Sequence, residues 1–442
     1  MLRSLLRFSW SMSLLGARQT AALLGAVAAA RPPDRVRESF DAVADAAEAE
    51  LGEGLADTFR TGWRWQRRAL DAAMGVAVPA FEIGRGEAST LLLRSSIETG
   101  RRSVEMLDAA LPERLGLAWR ELANKLAAFA DFQYAHRILG LFDETDLADA
   151  LERAGELGSY RRLWLLEGLG FAFAESEWDD GAPPRGLLAG RRLDAVPASG
   201  WLPLHTGLGL SLARRRLHRL DARRNADEVA AAVVDFTRLC DANARGGYGQ
   251  AIFEGLGLVV RQLEPAAVAA VDRELARRDE PPDRERRALF WHGVGRGLYF
   301  LVSQLYPGSL SRAFDLARRE PAHALGRRNA MAGLAWAATL VNFRHPEVLE
   351  AFLENHAGGW SAEDEGAFGH GVSSAFLFWL DAAGDDRLWR AFRDHRPAAA
   401  NDERWRRLVA APCAEAHERY PELKRGERLG EIFRDLGPTE GG

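Results

Sequence analysis

The chain has 442 residues, of which 47% are hydrophobic and 27% charged, a composition that is typical of a folded globular protein and excludes a chain disordered throughout. Its formal net charge of −5 argues against a nucleic-acid-binding protein, because a phosphate backbone requires a basic surface. The two cysteines, Cys240 and Cys413, have no partner at metal-ligand spacing, so we expect no disulfide framework and a cytoplasmic location.

The N-terminal segment, residues 1–30, permits two interpretations. It contains Arg3 and Arg7, an apolar stretch over residues 8–17 and an alanine-rich end, which loosely resembles a signal peptide. Arg18 interrupts the apolar stretch, and what remains is too short to cross a bilayer. We therefore predict an amphipathic helix that packs on the protein or lies peripherally on a membrane surface.

Helical patterns dominate the rest of the chain. Residues 31–125 form an N-terminal helical region, residues 126–430 a helical repeat body, and residues 431–442 a flexible tail. Stretches such as 222–244 and 265–278 place apolar residues at helical spacing, with Ala, Leu, Arg and Glu between them. Because runs of alternating β-branched residues are missing from the sequence, we predict an all-α fold.

One glycine-containing pattern recurs six times. The segments are LLEGLGFAFA (165–174), LHTGLGLSLA (204–213), IFEGLGLVVR (252–261), WHGVGRGLYF (291–300), AMAGLAWAAT (330–339) and FGHGVSSAFL (368–377). Their aligned glycines, 39, 48, 38, 40 and 38 residues apart, are Gly168, Gly207, Gly255, Gly293, Gly333 and Gly371. This spacing predicts helix-hairpin repeats of about 39 residues, forming an α/α superhelix or a closed α/α barrel. More charged second helices are expected at 309–320, 345–356 and 385–396.

Small residues also recur two and four positions after the aligned glycine, as Gly295 and Gly297 do in WHGVGRGLYF. The aligned glycine and the position four residues later share a helix face, which allows neighbouring helices to approach closely. The position two residues after the aligned glycine lies near the helix face of the residue just before that glycine. We therefore expect Gly295 to leave open space beside His292. Because these glycines lie inside helical sequence, a phosphate-binding loop is not expected here.

The position before the aligned glycine is polar in most copies. A glutamate or histidine on an apolar helix is costly unless it is paired or faces a wet cavity. These side chains would converge if the repeats closed into a ring, whereas in an open solenoid they would form a row. The candidate catalytic residues are Glu167, Glu254, His292 and His370.

These four residues could transfer protons or hold a non-haem metal ion such as iron, manganese or zinc, although no motif such as His-x-x-x-His accompanies them. The alternative is that they form structural hydrogen bonds to neighbouring elements. His205, Arg296 and Tyr299 are candidate substrate-binding residues. For Arg296, a second interpretation is pairing with a carboxylate from a neighbouring repeat.

From about residue 125 to about residue 430, the order of the segments resembles an uncharacterised protein family encoded beside iterative polyketide synthases in enediyne antibiotic clusters. The segments that carry the resemblance are HTGLGLSLAR (205–214), GGYGQAIFEG (246–255), HGVGRGLYF (292–300) and GAFGHGVSSAF (366–376). They are similar to the family's His-x-Gly-x-Gly, Gly-Tyr-Gly, Gly-x-Gly-Arg and glycine-alanine segments, in that order. The resemblance implies a setting in secondary metabolism, the tailoring of a polyene or polyketide.

Two functions of different classes follow from these features. In the first, the helical body encloses an apolar cavity that binds or modifies a polyketide-derived or other hydrophobic chain. In the second, it is a non-catalytic scaffold that binds a protein partner. Convergence of the polar side chains in a closed cavity would favour the first function, and their burial against other helices would favour the second.

Overall fold

The computed structural model describes residues 113–133, 135–139, 147–178, 183–189, 198–217, 226–277, 281–301 and 309–437, and most of these residues are helical. No strand occurs within these ranges, so the all-α prediction is confirmed there. The segment predicted at residues 1–30, and most of the region predicted at 31–125, lie outside the described residues.

Contacts divide the chain into two units. The first comprises residues 1–122 and 305–307, of which the structure describes only residues 113–122. The second comprises residues 123–304 and 308–442. All six glycine-containing segments belong to this second unit.

The helices are numbered in chain order. The first eight are α1 Glu113–Gln133, α2 Ala135–Ile138, α3 Leu147–Glu156, α4 Ser159–Ser176, α5 Trp201–Leu217, α6 Ala226–Asn243, α7 Gly249–Leu263 and α8 Val268–Leu275. The next eight are α9 Pro281–Tyr299, α10 Ser309–Arg319, α11 Ala324–Val341, α12 Pro346–His356, α13 Ala362–Ala383, α14 Arg387–Arg393, α15 Asp402–Trp405 and α16 Ala411–Arg425.

The charged helices predicted from the sequence are present. The stretches 309–320, 345–356 and 385–396 contain α10, α12 and α14. In α10 the buried residues are spaced three to four apart, so one face packs inward while the arginines face water. These residues are Ser309, Leu310, Ala313, Phe314 and Ala317.

Six of the helices, α4, α5, α7, α9, α11 and α13, contain the aligned glycines, and we call them the glycine helices. Each one packs on the next along the chain, and α13 also contacts α4 and α5. They are apolar and buried over most of their surface, whereas α10 and α14 carry exposed arginines. The glycine helices therefore form the core of the second unit.

The glycines bring the backbones of these helices into direct contact. A Cβ atom on Gly207 would overlap the carbonyl oxygen of Glu167 on the preceding helix, and one on Gly209 would overlap that of Ile252 on the following helix. A glycine inside a helix costs about 1 kcal/mol relative to alanine. Close packing, which also permits weak Cα–H···O contacts, offsets this cost.

Gly295 corrects one prediction from the sequence. A Cβ at this position would overlap the carbonyl oxygen of Ala330 on α11, so this glycine does not clear space beside His292. The prediction was wrong because it considered one helix alone, and the space is filled by the backbone of the next helix. The close packing predicted for Gly293 is present, since a Cβ there would overlap the carbonyl oxygen of Glu254.

Asp381, near the end of α13, connects this helix to the start of α5. Its carbonyl oxygen accepts a hydrogen bond from the amide of Gly200 at 2.7 Å, and its Oδ2 accepts one from the amide of Leu202 at 2.9 Å. Lys424 on α16 donates to Oδ1 at 2.5 Å. This buried carboxylate therefore links the last glycine helix to one of the first two.

Residues 429–437, which we call the C-terminal segment, contact α7, α9, α11 and α13. Asn329 forms two hydrogen bonds of 2.8 Å with the backbone of Asp435, and the amide of Gly430 donates to the carbonyl oxygen of Gly247 at 3.0 Å. Phe433 is fully buried. Within the flexible tail predicted at 431–442, residues 431–437 therefore have partners far away in the sequence, and residues 438–442 lie outside the described residues.

Candidate functional site

Four charged or polar side chains from three glycine helices meet in the core. Arg296 on α9 donates from Nη1 to Oε2 of Glu254 at 3.0 Å and from Nη2 to Oε1 of Glu167, which lie on α7 and α4. Nδ1 of His292 lies 3.0 Å from Oε1 of Glu254. We call these four residues the Arg296 cluster, and each of its contacts joins two different helices.

The helical register explains why these residues meet. Glu167, Glu254 and His292 each precede an aligned glycine, and Arg296 lies one turn after His292 on the same face of α9. Glycine contacts hold the helices so close that these side chains lie within hydrogen-bonding distance. The structure thus brings together three of the four candidate catalytic residues, and Arg296 pairs with one carboxylate on the adjacent glycine helix, α7, and with another on the more distant α4.

The Arg296 cluster is closed off by aromatic side chains. The guanidinium of Arg296 lies 4.4 Å from the ring centre of Trp336, within the range of a cation–π contact. Phe433 and Trp336 approach the ring of His292, with centroid distances of 5.2 and 6.2 Å. The exposed fraction is 0% for His292 and Glu254 and at most 2% for the other two members.

The electrostatics of the cluster make Glu254 the firmly ionised partner of Arg296. Burial alone would raise the pKa of Glu254, but Arg296 and His292 outweigh it and hold the pKa below its usual value. Burial raises the pKa of Glu167, because Arg296 offsets that effect only in part. The two carboxylates in turn raise the pKa of Arg296, although burial alone would lower it.

His292 is assigned as a neutral imidazole. Burial lowers its pKa, although Glu254 acts in the opposite direction. Nδ1 then donates to Glu254, and Nε2 is an unprotonated acceptor. Among the described residues Nε2 has no hydrogen-bond partner, and the same holds for Nε of Arg296 and Nε1 of Trp336.

A histidine oriented by a carboxylate is an arrangement that can act as a general base. Here Trp336 and Phe433 occupy the space that a reacting group would need. Within the described residues, no group of three or more His, Cys, Asp or Glu side chains is placed to hold a metal ion. Arg296 already supplies the positive charge between the two carboxylates, so the cluster does not fit the predicted non-haem metal.

His370 lies apart from the Arg296 cluster. Its Nε2 donates to the carbonyl oxygen of Ile432 at 3.1 Å, and Ser374 donates to the same oxygen at 2.8 Å. Burial lowers the pKa of His370, with Asp435 acting in the opposite direction. The ring lines a cavity of about 200 Å³, which we call the His370 depression, between α13, α16 and the C-terminal segment.

Two predicted substrate-binding residues have structural roles. Nδ1 of His205 donates to the carbonyl oxygen of Trp201 at 2.6 Å, and Nε2 accepts from the amide of Arg245 at 3.2 Å, so neither ring nitrogen is left for a substrate. Burial lowers the pKa of His205 to about 4. Tyr299 is fully buried, and its hydroxyl accepts a hydrogen bond from Asn342 at 3.0 Å.

Sequence reasoning missed several residues that shape both regions. Trp336 and Arg296 each lie three residues after the aligned glycine of their helix. A comparison of the six segments at this position, one helical turn after the candidate catalytic position, would have found Trp336. Ile432 and Phe433 follow no repeating pattern. No sequence pattern indicated the role of Asp381, because its hydrogen-bond partners lie on α16 and at the start of α5, far away in the sequence.

Comparison of the chain with known protein families, with curated proteins and with solved structures gave no match. Of the helices in the described ranges, none is both long enough and apolar enough to cross a bilayer.

Proposed function

We propose that this protein is a non-catalytic α-helical repeat scaffold and that the Arg296 cluster is a structural lock between its helices. The observation that carries this proposal is the enclosure of the cluster. A catalytic group must reach its substrate to within hydrogen-bonding distance. Glu254 and His292 expose none of their surface, and their polar contacts go to each other and to Arg296.

The architecture that we propose for the scaffold is a closed ring of six helix-hairpin repeats. The contacts of α13 with both α4 and α5 support closure. The regular glycine contacts support the repeat. On four glycine helices, the glycine two residues after the aligned glycine contacts the backbone of the next glycine helix. The residue that it contacts always lies three residues before the aligned glycine of that next helix. The pairs are Gly170 with Leu204, Gly209 with Ile252, Gly257 with Phe290 and Gly295 with Ala330.

In an open solenoid the concave face would bind a protein partner. In the closed ring proposed here, the outer helices and connections would take that role. We infer a setting in secondary metabolism from the resemblance that the sequence shows to the enediyne-cluster family. The partner would then be a protein of a polyketide-producing system, and the complex would form in the cytoplasm. Contact of residues 1–30 with a membrane surface remains part of this proposal.

A second candidate is the binding or modification of a polyene or other polyketide-derived chain. One observation favours it. Nε2 of His292 has no hydrogen-bond partner among the described residues, and it lies in an aromatic environment formed in part by Phe433. An apolar chain in the place of Phe433 would put this nitrogen beside a reacting carbon.

The substitution Glu254→Gln separates the two candidates, because it keeps the shape of the side chain and removes its charge. For the scaffold we expect a loss of about 2–4 kcal/mol in the free energy of unfolding, since Arg296 and His292 lose a buried partner. We also expect wild-type protein purified from its own host to carry no metal ion, and no molecule whose retention depends on Glu254, in native mass spectrometry with elemental analysis.

Glu175→Gln is the matched control. Glu175 lies at the end of α4, is partly exposed and pairs with Arg214 and Arg215, so its loss should cost at most about 1 kcal/mol. The opposite pattern would overturn the scaffold proposal. In that case Glu254→Gln would be as stable as wild type but would lose a molecule or metal ion that wild type carries.

A further inference from the structure

The His370 depression is a cavity with both polar and apolar walls. Its polar wall includes Ser373, Arg419 and Arg434, and its apolar wall includes Leu377 and Leu423. Two further polar groups at its edge, His370 and Ser374, are already engaged with the carbonyl oxygen of Ile432 and hold the C-terminal segment in place.

Ser373 distinguishes this cavity from an ordinary surface groove. Its side chain is 6% exposed, and its hydroxyl has no hydrogen-bond partner within the described residues. A buried hydroxyl without a partner costs about 1–3 kcal/mol, so such groups are rare unless they serve a ligand. The adjacent Ser374 on the same helix does form a hydrogen bond within the protein, to the carbonyl oxygen of Ile432.

The charges around the cavity favour an anion. Arg419 is half exposed, and its ion pair is with Glu415 one turn earlier on α16, which is itself largely exposed. Arg434 pairs with Glu285 and with Glu431, which also lines the cavity, so its charge is already balanced. Arg419 is therefore the guanidinium placed to pair with an anion, because its own ion pair is exposed to water and weak.

We propose that the His370 depression binds a small amphipathic carboxylic acid. Arg419 pairs with the carboxylate, Ser373 donates a hydrogen bond to it, and Leu377 contacts the apolar chain. A volume of about 200 Å³ holds roughly ten non-hydrogen atoms at the packing density of protein interiors. This function goes beyond the scaffold proposal, which requires no small molecule.

Isothermal titration of the full chain with octanoate tests the proposal, because octanoate has a carboxylate and an apolar chain of suitable size. We expect saturable binding with one molecule per chain. Acetate and 1-octanol each lack one half of this chemistry, so both should bind at least about tenfold more weakly.

Variants locate the site. Arg419→Gln should weaken octanoate binding about tenfold, and Ser373→Ala about threefold, because each removes one contact to the carboxylate. Arg425→Gln, an exposed arginine farther along α16, is the matched control and should bind as wild type does. Because Arg419 is exposed, its variant should fold as wild type does. Absence of saturable binding, or equal binding by Arg419→Gln and wild type, would overturn the proposal.

Discussion

His292 on α9 and His370 on α13 occupy the same position relative to an aligned glycine, yet their surroundings differ. His292 contacts the carboxylate of Glu254 inside a closed cluster, whereas His370 donates to a backbone carbonyl beside an open cavity. One turn later, α9 carries Arg296 and α13 carries Ser374. The register therefore determines which side chains face inward, and residues from other helices determine what those side chains do.

Among the variants that test this difference, we expect the largest effect from Arg296→Met. The substitution leaves Glu167 and Glu254 buried without a cation, and we expect a loss of about 3–5 kcal/mol in the free energy of unfolding, measured by urea denaturation. Arg390→Met on α14 is the control, since Arg390 is well exposed and should be replaceable with little effect. A loss for Arg296→Met as small as that of the control would mean that the cluster does not stabilise the core.

His205 adds a third buried histidine to the comparison, one with both nitrogens bonded to the backbone. Its pKa is lowered from 6.5 to about 4 by burial. At about 1.4 kcal/mol per pKa unit, protonation of this ring costs the folded state about 3 kcal/mol of stability relative to its neutral form. Because the unfolded state binds the proton more readily, this stability is complete above pH 6.5 and is lost as the pH falls toward 4.

The variant His205→Gln should therefore show a shallower decline in stability between pH 6.5 and 4 than wild type does. Urea denaturation at several pH values measures this slope. His345→Gln, a partly exposed histidine, is the control and should keep the wild-type slope. An unchanged slope in His205→Gln would show that the acid sensitivity arises elsewhere, and His292 and His370 would be the next residues to examine.

The smallest expected effects come from the two adjacent serines of α13. Ser374→Ala removes the hydrogen bond of 2.8 Å to Ile432, and we expect a loss of about 1 kcal/mol. Ser373→Ala removes a buried hydroxyl that has no partner among the described residues, so stability should stay the same or rise by about 1 kcal/mol. Thermal unfolding compares the pair directly. Equal losses would show that Ser373 has a structural partner and would weaken the case for a ligand beside it.

The local features of this protein could be predicted from the sequence because they depend on neighbours along one helix. The all-α fold, the positions of α10 and α12, and the inward direction of Glu254 and His292 all follow from helical periodicity. The remaining features depend on residues distant in sequence. The backbone of Ala330 decides the role of Gly295, and no periodicity on a single helix reveals it.

The position of Phe433 has a consequence for the order of folding during synthesis. The last glycine helix ends at Ala383, but His292 and Trp336 are covered only when Phe433 reaches them. At about 5–20 residues per second, translation of the intervening chain takes on the order of several seconds. During that interval His292 and Trp336 lack the aromatic cover that Phe433 gives them in the finished protein.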